Sequence, residues 1–511
     1  MKKSRRLGIA ALALAIVLPL SGCVSWFLPP TSASTSAPTG ESVAADLAPY
    51  YHQVLKWTLC GDNLQCTDAT APLDWSNPSG AKIKLALIRQ PATGSHRLGS
   101  LLVNPGGPGG SGYDFIHDSI DYATDKKLQA SYDIVGFDPR GVNHSTPVSC
   151  YTNPSQLDAY NFDIPPGMRG SDEWIKYEEN LSKKFGAECL ADTGPLLGHV
   201  DTVSAARDLD LLRAALGDKK LNYLGYSYGT LLGQTYANLY PKNTGRLVLD
   251  GVVDPTTTVF DLSLGQAKGF EASLRDFIQK CPGYKNCPFH GSVDSGMSET
   301  RQLLDALDAS PLRNKDGREL GSSTMFTAII YPLYNVASWL ALVTLFNTVL
   351  QGDPSYAFQL ADGYYERDSS GKYNDNSAEA FIAINCLDYP INTNVAHMRA
   401  QAAELNKAAP VLGHLMAYGD TGCSGWPVPE TGKAAPIHAD GSAPILVVGT
   451  TGDPATPYSM AQNVAKSLQN GHLVTYHGNG HTAYNKSNAC VNNAVDNFLI
   501  NGTVPKSDPN C

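Results

Sequence analysis

The stretch 221–240 restricts the fold more than any other part of the chain. LNYLG (221–225) is an apolar strand pattern that runs into Gly225-Tyr226-Ser227-Tyr228-Gly229, and 230–240 follows as a helix stopped before Pro241. A strand and a helix joined by so tight a turn strain the backbone at the crossing, and side chains at the two flanking positions would collide with the neighbouring strand and helix, which requires the glycines. The turn lifts the hydroxyl of Ser227 clear of the sheet edge, at a helix N-terminus that favours developing negative charge. The G-x-S-x-G pattern alone is weak in a chain with 47 glycines. Its placement between a strand and a clean helix makes it a candidate nucleophile.

The surroundings repeat the same alternation. AKIKLALIRQ (81–90), SLLVN (100–104), YDIVGF (132–137) and RLVLDGV (246–252) read as strands; 202–216 reads as an amphipathic helix with Val203, Ala206, Leu209 and Leu212 on one face. Strands and helices in this order predict a mostly parallel sheet with helices on both faces. From 255 to 440 the periodicity turns to helices and loops, and strands return at APILVVG (443–449) and HLVTY (472–476). An insertion of that length is no loop and must carry its own core. Within it, 320–352 holds no charged residue. That is long enough to span a bilayer, but Pro332, Asn335 and Asn347 interrupt it, and buried helices account for it better. With 511 residues, 42% hydrophobic and 17% charged, the chain can bury such cores and is not disordered over most of its length. A net charge of −10 argues against a polyanion partner such as nucleic acid, which needs a basic face.

The N-terminus reads as an address. MKKSRR (1–6) is basic and LGIAALALAIVLPL (7–20) is apolar but short for a spanning helix, the layout of a secretory signal. Leu20-Ser21-Gly22-Cys23 resembles the lipobox of bacterial lipoproteins, which implies cleavage before Cys23, a diacylglyceryl group on its sulfur and attachment to the outer face of the cell membrane. The Ser/Thr/Ala/Pro-rich segment that follows reads as a flexible tether. The expected division is therefore 1–22 signal, 23–45 tether, 46–254 first part of the core, 255–440 helical cap, and 441–511 second part of the core. Ten further cysteines, an even number on an exported chain, suggest disulfides among Cys60, Cys66, Cys150, Cys189, Cys281, Cys287, Cys386, Cys423, Cys490 and Cys511. Sequential pairing is the simplest scheme, although spacing alone does not fix connectivity. No C-x-x-C pair supports a zinc site, and neither a metal nor a cofactor is expected.

Asn104-Pro105-Gly106-Gly107-Pro108-Gly109-Gly110-Ser111-Gly112 follows a strand. It lacks the Gly-Lys-Ser/Thr of a phosphate loop, and Pro108 has no N–H to give. It suits an oxyanion loop, with Gly107 the expected donor, Gly106 its near rival and the N–H of Tyr228 the second donor. A serine hydroxyl needs a base. His481, bracketed by glycine after the last strand, is preferred to His477, which sits closer to the strand's end. Asp453, after the strand at 443–449, is expected to orient it. Thr456 either supports the Asp453 loop or lines the pocket. The order Ser227, Asp453, His481 is that of the α/β-hydrolase fold.

LLVNPGGPGGSG (101–112), YDIVGFDPRG (132–141), LNYLGYSYGTLLG (221–233), RLVLDGVVDP (246–255), AINCLDYP (383–390), CSGWP (423–427), LVVGTTGDPATP (446–457) and GNGHTAY (478–484) together carry a resemblance. From about residue 50 onward the chain resembles the secreted tripeptidyl-aminopeptidase-like proteins of actinobacteria, in the proline-iminopeptidase group of serine peptidases. The resemblance implies an exported exopeptidase that releases short peptides from free N-termini through a Ser-His-Asp triad. It also implies a cap carboxylate for the substrate ammonium, for which Glu379 and Asp388 are among the candidates. One departure is Pro105, where simpler relatives carry histidine; the backbone donor role survives the change. A carboxylester hydrolase acting on lipid or cell-wall esters is the alternative on the same fold.

Overall fold

The computed structural model describes residues 34–511; the signal segment and Cys23 lie outside the described residues. Its strands are β1 (Ser34–Thr35), β2 (Lys56–Gly61), β3 (Leu64–Pro72), β4 (Lys82–Gln90), β5 (Ser100–Asn104), β6 (Asp133–Phe137), β7 (Leu221–Tyr226), β8 (Thr244–Asp250), β9 (Leu312–Arg313), β10 (Glu319–Leu320), β11 (Ile445–Gly452) and β12 (Gly471–Asn479). Ten of them form one sheet in the order β1-β2-β3-β4-β6-β5-β7-β8-β11-β12, and β9 and β10 make a separate ribbon. Pairing is antiparallel from β1 through β4 to β6 and parallel from β6 to β12.

The parallel strands are apolar on both faces because helices cover both. Leu102, Val135, Tyr223, Leu247 and Val447 point to one core with Leu209 and Leu212 of the helix Thr202–Leu216. Their neighbours Leu101, Ile134, Leu224, Val248 and Leu446 point to the other, with Ile116, Val491 and Phe498. Period-two alternation within single apolar runs thus serves two cores. The loop after β6 is locked by Arg140, which is fully buried. It gives Nε and Nη2 to Asp208 (2.7 and 2.8 Å) and its remaining donors to the carbonyls of Pro72, Leu73 and His199.

Residues 255–440 form helices around a separate core of Phe270, Phe277, Leu304, Leu342, Phe346 and Phe358. The uncharged stretch 320–352 is two short helices, Ser322–Leu333 and Trp339–Leu350, broken near Asn335. No helix among the described residues is long and apolar enough to cross a membrane. A second excursion, between β6 and Thr202, joins this cap. Its helices Pro154–Phe162 and Asp172–Thr193 supply Phe162 to the cap core and Trp174 and Ile175 to a patch around Met398, and Asp158 is clasped by Arg367 (2.7 and 2.8 Å). The undivided segment 46–254 expected from the sequence therefore contains cap as well as core. Helical periodicity announces a buried face but not the surface that buries it.

The expected tether 23–45 also needs correction where it is described. Ser34 and Thr35 pair with Trp57 and Lys56, the Ser36 N–H reaches Leu55 O, and Glu41 accepts from the buried guanidinium of Arg213 (2.7 and 3.1 Å). Pairing with an edge strand and a partly buried ion pair hold 34–41 against the body, and a polar composition reports neither. Five disulfides join Cys60–Cys66, Cys150–Cys189, Cys281–Cys287, Cys386–Cys423 and Cys490–Cys511.

Candidate active site

Ser227 stands between β7 and the helix Tyr228–Leu239 with φ 55° and ψ −125°, left-handed backbone that a non-glycine residue adopts only under constraint. Its N–H is held by Asp250 O at 2.9 Å. The flanking glycines are required by contact: a Cβ on Gly225 would lie 2.5 Å from Gly229 O, and one on Gly229 would lie 2.7 Å from Asn104 Oδ1. The second of these contacts presses the elbow onto the end of β5, where the oxyanion loop begins.

In that loop Gly106 turns at φ 102° directly under the elbow; a Cβ there would meet Tyr226 O at 2.5 Å and Ser227 Cβ at 2.8 Å. Its N–H is already committed to Asn104 Oδ1 at 3.0 Å. The N–H groups of Gly107 and of Tyr228, the first residue of its helix, find no acceptor among the described residues. Of the two glycines weighed, Gly107 is the one with a donor to spare.

The loops after β11 and β12 bring an acid and an imidazole together. His481 Nδ1 lies 2.9 Å from both carboxylate oxygens of Asp453. Asp453 is buried and also accepts from Ala455 N and Thr456 N (2.9 Å each), Thr456 Oγ1 (3.0 Å) and Thr482 N (3.3 Å). A carboxylate so placed is an acceptor, so the ring proton sits on Nδ1 and the lone pair on Nε2. Nε2 is buried and has no hydrogen-bond partner among the described residues, so no bond joins it to Ser227 Oγ in this structure. Such contacts commonly close only around substrate. Thr456 supports the Asp453 loop.

The cap reaches both halves of the site. Tyr334 O accepts the His481 N–H at 2.8 Å, and its ring packs edge-on against the imidazole, centroids 5.5 Å apart. On the other side a Cβ at Gly109 would lie 2.7 Å from Ser377 O and 3.1 Å from Ala380 Cβ. No sequence signal marked Tyr334, since its contact is with a loop nearly 150 residues further on.

The remaining candidates lie elsewhere. His477 is exposed and bonded to Asn510 Oδ1 at 2.7 Å. Glu379 is buried and accepts from Cys150 N and Tyr151 N (3.0 and 2.9 Å). Asp388 accepts from Thr202 N and Thr202 Oγ1 (2.9 and 2.5 Å). Each carboxylate thus accepts two donors from the core side of the chain, Glu379 from a buried position and Asp388 from a half-buried one. Among the described residues no group of three or more His, Cys, Asp or Glu could hold a metal ion.

Parallel strands delivering a serine elbow and an imidazole–carboxylate pair to one edge define a serine hydrolase of the α/β-hydrolase fold. The TAP-like protein family matches residues 409–511. Serine protease Hip1 of Mycobacterium tuberculosis is 35% identical over 530 residues, covering 100% of this chain and 98% of that protein. Carboxylesterase B of the same organism is 33% identical, covering 100% and 99%. Tripeptidyl aminopeptidase of Streptomyces lividans is 31% identical, covering 88% of this chain and 83% of that protein. The chain belongs to this TAP-like family of α/β-hydrolases.

Proposed function

We propose that the protein is an exported serine exopeptidase that cleaves peptide bonds near free N-termini. The reading rests on the pairing of His481 Nδ1 with both oxygens of Asp453 at the sheet edge that carries the Ser227 elbow. Ser227 attacks the scissile carbonyl while His481 Nε2 takes its proton, and Asp453 holds the tautomer and stabilises the imidazolium. The N–H groups of Gly107 and Tyr228 receive the oxyanion; one such donor is worth about 3 kcal/mol of barrier. His481 then protonates the leaving amine, and water hydrolyses the acyl-enzyme.

The cap, whose Tyr334 rests on His481 and whose helix Ser377–Asp388 rests on Gly109, supports a restriction to chain ends. A cap seated on both loops of the site suits a substrate that enters by its terminus. The peptidase names of two relatives support the same reading. A carboxylester hydrolase is the second reading, favoured by the relative named carboxylesterase B. Lipid attachment at Cys23 belongs to the proposal and rests on the lipobox.

The discriminating experiment compares a tripeptide anilide, its N-acetylated form and a p-nitrophenyl ester, with products identified by mass spectrometry. The expected outcome is release of a short peptide, strong loss on acetylation, and no turnover by Ser227→Ala. Indifference to acetylation with rapid ester turnover establishes the esterase instead.

A further inference from the structure

β8 lies between the strand that ends in Ser227 and the strand that leads to Asp453, with Asp250 in register with Tyr226 on one side and Val448 on the other. Its last residue therefore sits beneath the reacting groups. Asp250 is fully buried, and each of its acceptor groups is committed to a different part of the site. The main-chain carbonyl holds the Ser227 N–H at 2.9 Å. The carboxylate accepts the Ala483 N–H at 3.0 Å on each oxygen and the Tyr484 N–H at 2.8 Å. The next residue, Gly251, donates to Val448 O at 3.2 Å and turns at φ 69° against the imidazole. A Cβ there would lie 3.0 Å from His481 Cε1 and 2.8 Å from Thr482 Cγ2.

Two observations mark this as more than packing. Thr482, between the base and the residues that Asp250 holds, has φ 66°, a left-handed conformation that is an outlier for a β-branched side chain. Such a turn persists only if its surroundings hold it. Asp453 holds Thr482 itself, and Asp250 holds the next two residues. Second, the Asp250 carboxylate makes no hydrogen bond to a cationic side chain among the described residues. Burial pushes its carboxyl up, and the Tyr484 and Ala483 N–H groups with the nearby Lys486 and His481 only partly offset this. A carboxylate offers acceptor oxygens on both of its arms, and both are used here.

We infer that Asp250 is a positioning residue of the reaction: through its carbonyl and its carboxylate it sets the separation between the Ser227 elbow and the His481 turn. The inference rests on the assignment of Ser227 and His481 proposed above. Asp250→Asn keeps the shape but replaces one of the two acceptors of the Ala483 N–H by an NH2 group, donor facing donor. Gly251→Ala keeps the carboxylate but presses a methyl group on the imidazole.

The measurement is the rate at which Ser227 is labelled by an organofluorophosphonate, which needs an activated serine but no particular substrate. It is read beside kcat per labelled site and KM. Asp250→Asn is expected to slow labelling and kcat together by about 10- to 100-fold, as small misplacements of reacting groups do, with KM changed less than about twofold. Gly251→Ala is expected to slow labelling as well. Labelling of Asp250→Asn at the wild-type rate, whatever its melting temperature, overturns the inference. If Asp250→Asn does not fold, wild-type labelling of Gly251→Ala does the same. Labelling that survives Ser227→Ala instead faults the nucleophile assignment, a result the Asp250 variants cannot produce.

Discussion

At the scale of single residues the oxyanion side is the most exacting part of the site. Gly106 is at once a left-handed turn and the floor of the nucleophile elbow. Gly106→Ala would strain the backbone and press a methyl group against Tyr226 O and Ser227 Cβ, moving Tyr228 N and the Gly107 loop apart. Loss of about 100-fold or more in kcat is expected, the size of one misdirected oxyanion donor, with the far-UV circular dichroism unchanged. Near-wild-type kcat would contradict the assignment. The glycines here were legible because they answer to neighbours a few positions away or to the next strand's end. Asp250 was not, although its motif was in view: an aspartate at the end of a strand looks the same whether it faces solvent or two N–H groups more than 230 residues on.

At the scale of elements, the helix Ser377–Asp388 shows what periodicity leaves open. Two of its acids suited a ligand as well as they suited a core. The structure uses both as acceptors that fasten cap to core. Thr202 Oγ1 donates to Asp388 and meets the Tyr228 hydroxyl, each at 2.5 Å, so the pin lies directly behind the residue after the nucleophile. Burial raises the Asp388 carboxyl from its ordinary 3.8 to about 7, against the opposing pull of the Thr202 donors. The folded state therefore keeps a proton that the unfolded chain has already lost. The stability this group contributes is full below about 4 and is lost as pH rises through about 7. Asp388→Asn is expected to melt near the wild type at pH 5 and above it at pH 8. A difference in melting temperature that does not widen toward pH 8 would show that Asp388 does not titrate in this window.

At the scale of the whole molecule, the five disulfides among the described residues and the lipobox ending at Cys23 both support the proposal of an exported enzyme held at the cell surface. Two excursions build the cap, and the bridges Cys150–Cys189 and Cys386–Cys423 each close a loop within one of them. In a host that processes bacterial lipoproteins, Cys23→Ser is expected to move the protein from the membrane to the soluble fraction and to abolish labelling by a fatty-acid probe. The activity should be retained, since the site is built from residues far along the chain. Membrane retention without label would remove the anchor from the account.

The sequence by itself determined the strand–helix alternation, the serine elbow, the glycine loop and the order of the acid and the base. Each of these depends on residues close together in the chain, where hydrophobic period and the steric demands of a turn act directly. Only the tertiary structure decided that 34–41 lie on the body, that 154–193 pack on the cap as well as on the sheet core, that Glu379 and Asp388 take donors from the core side of the chain and that Tyr334 and Asp250 meet the His481 turn. Those outcomes are contacts between distant segments, and the free energy of burying one surface against another is not encoded in the pattern of either surface alone.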